Sequence, residues 1–333
     1  MPTGTLSDFQ INPVLFRVGM LETLGQNGIA FNALTNNTIL FAVQSIIGQI
    51  TKKDYFKRIS NLISDRDPTS VAAAAVTKLE QGTQKGVKVD RRVGPVEQTI
   101  DSLRKIGATD AEVSLELGRQ LGEELSQDYF NAGLLSTRAA LTNAGAANSV
   151  EVAAVGGAAP LITDHLQLAL AKMGDAANRI RAWVMHSAAW NSLIDDQLQN
   201  WKIDSVAGQI IYGATPATFN RPVIVSDSAS LFYDEDLGGG LETVYETLGL
   251  VEGAASIVES QFEDPLVERV GGLENLVWRF QTEYSFNLEI KGAGWDDAGG
   301  GVSPNNTALG TAVNWDSIFS NHKDRAGVRI KHN

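Results

Sequence analysis

The 333-residue chain contains no cysteine, which excludes disulfides and thiolate chemistry and points to synthesis in a reducing cytosol. Histidine is scarce: His165, His186, His322 and His332 are the only four. No apolar run approaches the roughly 18 residues a membrane helix needs; VAAAAV at 71–76 is far too short. The first residues, MPTGTLSDFQINPVLFRVGM, lack a cationic start followed by an apolar stretch, so no signal peptide is expected. An excess of basic charge is also missing. The 27 Lys and Arg against 39 Asp and Glu leave a net charge of −12, which argues against a general nucleic-acid binder because such proteins need a basic face.

What is present is a folded chain. Hydrophobic residues make up 43 % and charged residues 20 %, enough for a real core. The length fits about two domains, or one elongated unit with insertions. The charge is uneven: residues 1–108 hold 13 Lys and Arg against 9 Asp and Glu, while residues 109–333 hold 14 against 30. A basic first third could pair with the acidic body of another copy, or one patch could simply be solvated unevenly; composition leaves both open.

Residues 1 to about 45 show no sustained period and carry the turn-like GQNG and NNT, which predicts an extended arm. In QKGVKVDRRVGPVEQT, Val87, Val89 and Val93 alternate among Lys85, Lys88, Arg91 and Arg92. This predicts a two-faced strand ended by Gly94-Pro95 and in need of support outside itself. Over 108–141 a long helix is predicted: Thr109 and Glu112 match a capping box, and Val113, Leu117, Leu121, Leu125 and Tyr129 recur every four residues. A Gly/Ala-rich connection (142–160) precedes a helix from Thr163, a strand in RAWVMHS, a helix in AAWNSLIDDQL, a strand in RPVIVSD (221–227) and a loop in YDEDLGGGLE. Helices alternating with apolar strands from 161 to 260 suggest a compact α/β module. Residues 276–290, LVWRFQTEYSFNLEI, alternate without a break. That is a strand of about 50 Å against a usual five or six residues.

Candidate chemical sites are weak. Ser187 follows His186, but strand neighbours point to opposite faces, so His186 could not serve it as base, and no Gly-x-Ser-x-Gly elbow surrounds it. Ser187 as a helix cap is the plainer reading. Asp234, Glu235 and Asp236 precede three glycines but lack calcium-loop spacing. His165 beside Asp164 has no second histidine at zinc spacing. The glycine runs at 238–240 and 299–301 lack the following Lys-Ser/Thr of a phosphate cradle. Two NNT triplets (36–38, 305–307) match the glycosylation pattern by chance. No metal, cofactor or catalytic residue is therefore expected. The basic residues Lys85, Lys88, Arg91 and Arg92 could form a nucleic-acid patch, a solvated edge or a contact to an acidic neighbour. With no aromatic between Lys78 and Arg104 for bases to stack on, the neighbour reading is favoured.

The order of arm, basic ribbon, long helix, α/β module and long strand is similar to the HK97-like major capsid proteins of tailed bacteriophages. GVKVDRRVGPVEQTIDSLRKIG resembles their extended-loop segment running into the spine helix, in a siphophage-type family; WVMHSAAWNSLIDDQL resembles that family's strand-helix signature, and PVIVSD and PNNTALGTAVNWD fit the same pattern. The resemblance implies an α+β fold with an N-terminal arm (1–45) and an extended loop (46–100). A peripheral domain with the spine helix (101–150), an axial domain (151–265) and a return to the peripheral domain with a C-terminal segment (266–333) would follow. It implies a structural protein, not an enzyme, that assembles in the host cytoplasm as hexamers and pentamers. The product would be a virion head around double-stranded DNA, held without sequence-specific binding and without a membrane. Portal and possibly decoration proteins would be partners. No helical scaffolding segment precedes the arm, so a separate scaffolding protein is expected, and no Lys–Asn crosslink can be assigned. Two alternatives stay open: an encapsulin-like nanocompartment shell, and a serine hydrolase using Ser187.

Overall fold

A computed structural model of the chain describes residues 13–43, 48–57, 63, 65, 68–69, 71–73, 76, 78–99, 110–154, 159–200, 203–206, 209–212, 218–272, 274–275 and 277–333. In chain order it runs through helix α1 (Pro13–Leu34), strands β1 (Ile39–Val43), β2 (Ile50–Phe56) and β3 (Gln81–Thr99), and helix α2 (Asp110–Asn143). Strand β4 (Ser149–Glu151), helix α3 (Thr163–Met173), strand β5 (Ile180–Met185) and helix α4 (Ser187–Asn200) follow, then the short pair β6 (Ile203–Val206) and β7 (Gln209–Tyr212). Strands β8 (Val223–Val225), β9 (Phe232–Asp236), β10 (Leu241–Val251), β11 (Ala255–Phe262), β12 (Leu266–Val270) and β13 (Val277–Ile290) come next. The chain closes with β14 (Ala293–Trp295), helices α5 (Asp297–Gly300) and α6 (Asn306–Gly310), and strands β15 (Trp315–Ser317) and β16 (Gly327–His332).

A long six-stranded sheet has the order β1-β11-β13-β3-β2, with β12 also on β13. Its spine is the antiparallel pair β3–β13, in register from Thr99–Val277 to Val87–Leu288. The unbroken strand expected over 276–290 is present from Val277; Leu276 lies outside the described residues. Strand β3 does not stop at Gly94-Pro95 as its composition suggests. Val93 pairs with Thr282 and Val96 with Phe280, so Gly94 and Pro95 together oppose Gln281 in a bulge. A proline fits there because the ladder is already interrupted and needs no N–H from it. Gly94 has φ +85°, and a Cβ on it would meet the Phe280 carbonyl oxygen at 2.8 Å.

The extended arm expected over residues 1–45 is instead helical over Pro13–Leu34. Helix α1 lies against α2 through a seam of glycines, where a Cβ on Gly118 would meet the Phe16 carbonyl at 2.1 Å and one on Gly19 the Leu115 carbonyl at 2.7 Å. Two helix backbones that close leave room for few side-chain knobs; among the described residues of α1, Phe16 and Met20 are the large side chains that reach full burial. That explains the missing apolar period. On α2 the C-terminal part of the expected stripe is buried: Leu121, Leu125 and Tyr129 are buried, Val113 and Leu117 half-buried, and Tyr129 meets the long sheet edge-on at Phe286 and Tyr284. Thr109 of the expected capping box lies outside the described residues. At the other end, Arg325 Nη1 donates to the Ala144 carbonyl, placing a cation where the helix dipole is negative.

The second sheet has the order β4-β16-β10-β5-β8, with β9 on β10. The expected strand-helix pair of 180–200 is present as β5 and α4. The YDEDLGGGLE stretch, expected to be a loop, is a hairpin: β9 pairs with β10 from Phe232–Tyr245 to Asp236–Leu241, and Gly238 and Gly240 supply positive φ at the turn. Sheet membership also crosses the expected domain limits. β11, inside 151–265, pairs with β13 of the long sheet, while β16, in the expected C-terminal segment, pairs with both β10 and β4 of the second.

Candidate assembly surface

Strands β2 and β3 form a hairpin whose paired part runs from Ile50–Val87 to Phe56–Gln81. The four basic residues of β3 do not form one ribbon. The two-residue strand period puts Lys85 and Arg91 on the same face as Val87 and Val89, and Lys88 and Arg92 on the other. Lys85 Nζ donates to Asp297 Oδ1 at 2.5 Å, a bond that holds the lysine above, and the aspartate below, its ordinary pKa. Lys88, buried, reaches across β13 to Gln261 Oε1 at 2.6 Å. Arg91 donates to Asn306 Oδ1, with its Nε 3.6 Å from Asp128. Asp128 also accepts from the Tyr284 hydroxyl at 2.7 Å, and burial first, then that carboxylate, pushes the phenol up. Arg92 alone of the four is exposed, in register with the exposed Glu283.

A polar network locks the base of this hairpin to the long strand. A Cβ on Gly86 of β3 would lie 2.5 Å from both Thr51 Oγ1 and Glu289 Cγ. Because it has none, Thr51 reaches over β3, donating to Glu289 Oε1 and accepting from Asn287 Nδ2, each at 3.1 Å. Lys53 adds an ion pair to Glu289. Asn287 is fully buried beneath this bridge.

Past the lock, large apolar side chains are exposed among the described residues. Ile63 is 96 %, Val71 104 % and Val76 86 % exposed, and Phe56 and Leu79 are exposed as well. Sequence reasoning missed these residues: Ile63 lies in a mostly polar stretch, and Val71 and Val76 flank four alanines in a run too short for a core element. The available signal was an apolar residue recurring in a stretch too polar to own a core.

The two residues of the enzyme alternative, His186 and Ser187, are engaged in local hydrogen bonds. His186 Nδ1 accepts from the Ala188 N–H at 3.1 Å and the His186 carbonyl accepts from Trp190, so the histidine, not Ser187, caps α4. A hydrogen bond from Ser187 holds the Asp227 carboxyl below its ordinary range, while His186 Nε2 stands 3.6 Å from the same carboxylate. The serine proton is thus directed to the aspartate and the ring is occupied as a cap, an arrangement unlike a nucleophile served by its base. Among the described residues no cluster of His, Asp and Glu could hold a metal. His165 Nδ1 accepts from the Ile162 N–H, and burial lowers its pKa against the pull of Asp164 and Asp196. Asp234 bonds Thr243, Glu235 pairs with Lys331, and Asp236 accepts from Gly238 in the hairpin turn. Gly300 packs on Trp295, where a Cβ would sit 2.1 Å from the ring. Asn305 caps α6 through the Ala308 N–H.

Comparison with solved structures shows the same architecture at low identity. The chain is similar to the capsid protein of Ralstonia phage GP4, with 12 % identity, TM-score 0.50, and 90 % of this chain and 87 % of that chain covered. It is equally similar to a chain of the cyanophage Pam1 capsid asymmetric unit, with 11 % identity, TM-score 0.50 and 88 % of each chain covered. These likenesses establish the HK97-like α+β fold. No curated protein matches the sequence. A family model does: residues 8–329 fit the family described as major capsid protein 13-like. This chain, with its long sheet, spine helix and projecting hairpin, belongs to that family and is a phage major capsid protein.

Proposed function

We propose that copies of this chain close as hexamers and pentamers into the icosahedral head of a tailed phage and enclose double-stranded DNA. The observation that carries this reading is the β2–β3 hairpin, which displays Ile63, Val71 and Val76 almost completely exposed. Apolar side chains on so thin an element gain burial only against another body. In this reading the long sheet with α1 and α2 is the peripheral unit, the second sheet is the axial unit, and the hairpin is the extended loop that lies on a neighbour. Residues 109–333 carry 30 acidic against 14 basic side chains, so the shell wall repels the DNA it holds and the polymer packs without sticking. Of the four basic residues, Arg92 is the one offered to an adjacent copy; Lys85, Lys88 and Arg91 brace the loop that such a contact loads. Scaffolding, portal and decoration proteins are the accessory partners of this reading, and the host cytoplasm is its place of assembly.

The test is electron microscopy of the expressed protein, with any co-encoded scaffold, after size-exclusion chromatography. Closed shells of uniform diameter with five- and six-fold capsomers are expected. A compact 35.7 kDa monomer under all assembly conditions would overturn the proposal.

A further inference from the structure

We infer that the histidines set around α3 and α4 form an acid-operated latch: neutral rings hold the first turns of both helices on the second sheet, and protonation lets those turns go. All four histidines of the chain touch these helices or the sheet face beneath them. His186 Nδ1 accepts from the Ala188 N–H at 3.1 Å as the cap of α4, and His165 Nδ1 accepts from the Ile162 N–H at 3.4 Å at the start of α3. Between them on the sheet, the Tyr245 ring meets His186 at 5.1 Å and stacks on the buried His332 at 5.9 Å. A charge on His165 in turn disfavours one on His332.

The usual caps of a helix start, Ser, Thr, Asp or Asn at the first position and Glu or Gln three residues on, keep their acceptor lone pairs in mild acid. An imidazole does not, because the proton it takes up goes to the nitrogen that carries the lone pair. At both Nδ1 atoms that lone pair is the cap. One proton therefore removes the acceptor, leaves a backbone N–H without its partner and sets a positive charge against the positive end of the helix dipole. At the far end of α3 the sign reverses. His322 Nε2–H donates to the Lys172 carbonyl at 3.0 Å, a bond that an imidazolium also makes and that the negative end of the dipole favours. Lys323 pairs with Asp175 just beyond it. Acid thus releases α3 at its first turn and keeps it hinged at its last.

Carboxylates around the latch set its range. Asp164 of α3 and Asp196 of α4 favour a charged His165, but burial outweighs them and lowers its pKa. Asp196 also accepts from the Thr163 N–H and hydroxyl at 3.0 Å each, which ties α3 to α4 until that carboxylate is itself protonated. Asp227, 3.6 Å from His186 Nε2, attracts a charge on that ring but cannot restore an acceptor at Nδ1. Asp195 is exposed and Asp234 of β9 is taken up by Thr243. Glu246, Arg329 and Lys331 alternate to the opposite face of β10 and β16, with Glu151 of β4. Burial holds His332 neutral down to about pH 4, so a released state takes up protons first, and release grows as the pH falls below about 6.5. On the long sheet Glu259, raised by burial, has the opposite sign. Mild acid therefore loosens the helical cover of the second sheet and spares that of the first.

The latch lies within one chain and works whether or not copies assemble, so the full-length chain in the state in which it purifies serves for the test. Hydrogen exchange is read by mass spectrometry at pH 7.5 and 5.0, corrected for the intrinsic effect of pH. Protection of peptides covering 160–167 and 187–192 is expected to fall at least about tenfold at pH 5.0 and to return on neutralisation, while peptides from the end of α3 and from α2 keep theirs. His165→Gln combined with His186→Asn puts acceptors that do not titrate at the two caps and is expected to hold both first turns protected at pH 5.0. If circular dichroism at pH 7.5 shows that the double variant does not fold, the single variants are read, each expected to restore protection at its own helix only. Unchanged protection of the parent chain between the two pH values overturns the latch. An equal loss in parent and variants also overturns it, since the acid effect would then belong to carboxylates such as Asp196. Loss that extends over α2 and the long sheet is global unfolding and counts against it as well.

Discussion

The Thr51 hydroxyl donates to Glu289 Oε1 at 3.1 Å across an intervening strand, and does so through the gap left by Gly86. The relationship ties the root of the projecting hairpin to the far end of the longest strand pair. Gly86→Val puts methyl groups where Thr51 and Glu289 now meet. It is expected to destabilise the folded chain by about 1–3 kcal/mol, the usual cost of overpacking. Thermal unfolding checks this; an unchanged midpoint would show that the bridge contributes nothing.

Gly118 presents the tighter constraint, since its Cβ would meet main-chain Phe16 and not a movable side chain. Gly118→Leu should therefore undock α1 while α2 stays helical. Limited proteolysis is expected to release an N-terminal fragment from the variant and not from the parent chain.

Arg91 and Arg92 separate an internal role from an external one. Arg91→Glu sets a carboxylate against Asp128 and should lower the melting temperature of the monomer. Arg92→Glu, at an exposed position, should leave melting within error and reduce shell formation, because a surface charge contributes little to folding. Equal effects of the two substitutions on melting would refute the distinction.

His332 is buried, with its Nε2 3.2 Å from the Thr247 hydroxyl. Burial first, and His165 second, lower its pKa from 6.5 to about 4. The unfolded chain takes up this proton before the folded one does. The stability that depends on neutral His332 is therefore complete above about pH 6.5 and is lost as the pH falls toward 4, with a span of up to ~3 kcal/mol. Urea unfolding at pH 7, 5.5 and 4.5 should show this acid loss, and His332→Gln should flatten it.

Glu259 has the opposite sign. It is buried on the helix side of the long sheet, in register with Phe286, and burial raises its pKa despite Arg17. A raised carboxylate contributes most below its unfolded pKa and is unfavourable once ionised. Glu259→Gln is expected to raise the melting temperature at pH 8 and to change it little at pH 4. A lower melting temperature at pH 8 would mean that the charge is needed.

Much of this molecule is legible in its sequence because period and parity are local properties. The four-residue recurrence from Leu117 to Tyr129 determined the spine helix and its buried face, and strict alternation over Trp278–Ile290 determined the long strand. Alternation along β3 did not by itself divide Lys85 and Arg91 from Lys88 and Arg92; the partners found in the sheet do. Three-dimensional packing decided the rest. Helix α1 shows no pattern, since glycines make its contact and a glycine seam has no hydrophobic signature. Strand β3 continues through Gly94-Pro95 because a bulge, set by its neighbour, removes the need for the missing N–H. Lys85 finds Asp297 212 positions away, and Arg329 is buried between Glu246 and Glu151 in a sheet that gathers strands from three parts of the chain. A side chain's type states what it needs, whereas its partner is fixed only when distant segments share one ladder, and no local window of sequence contains that information.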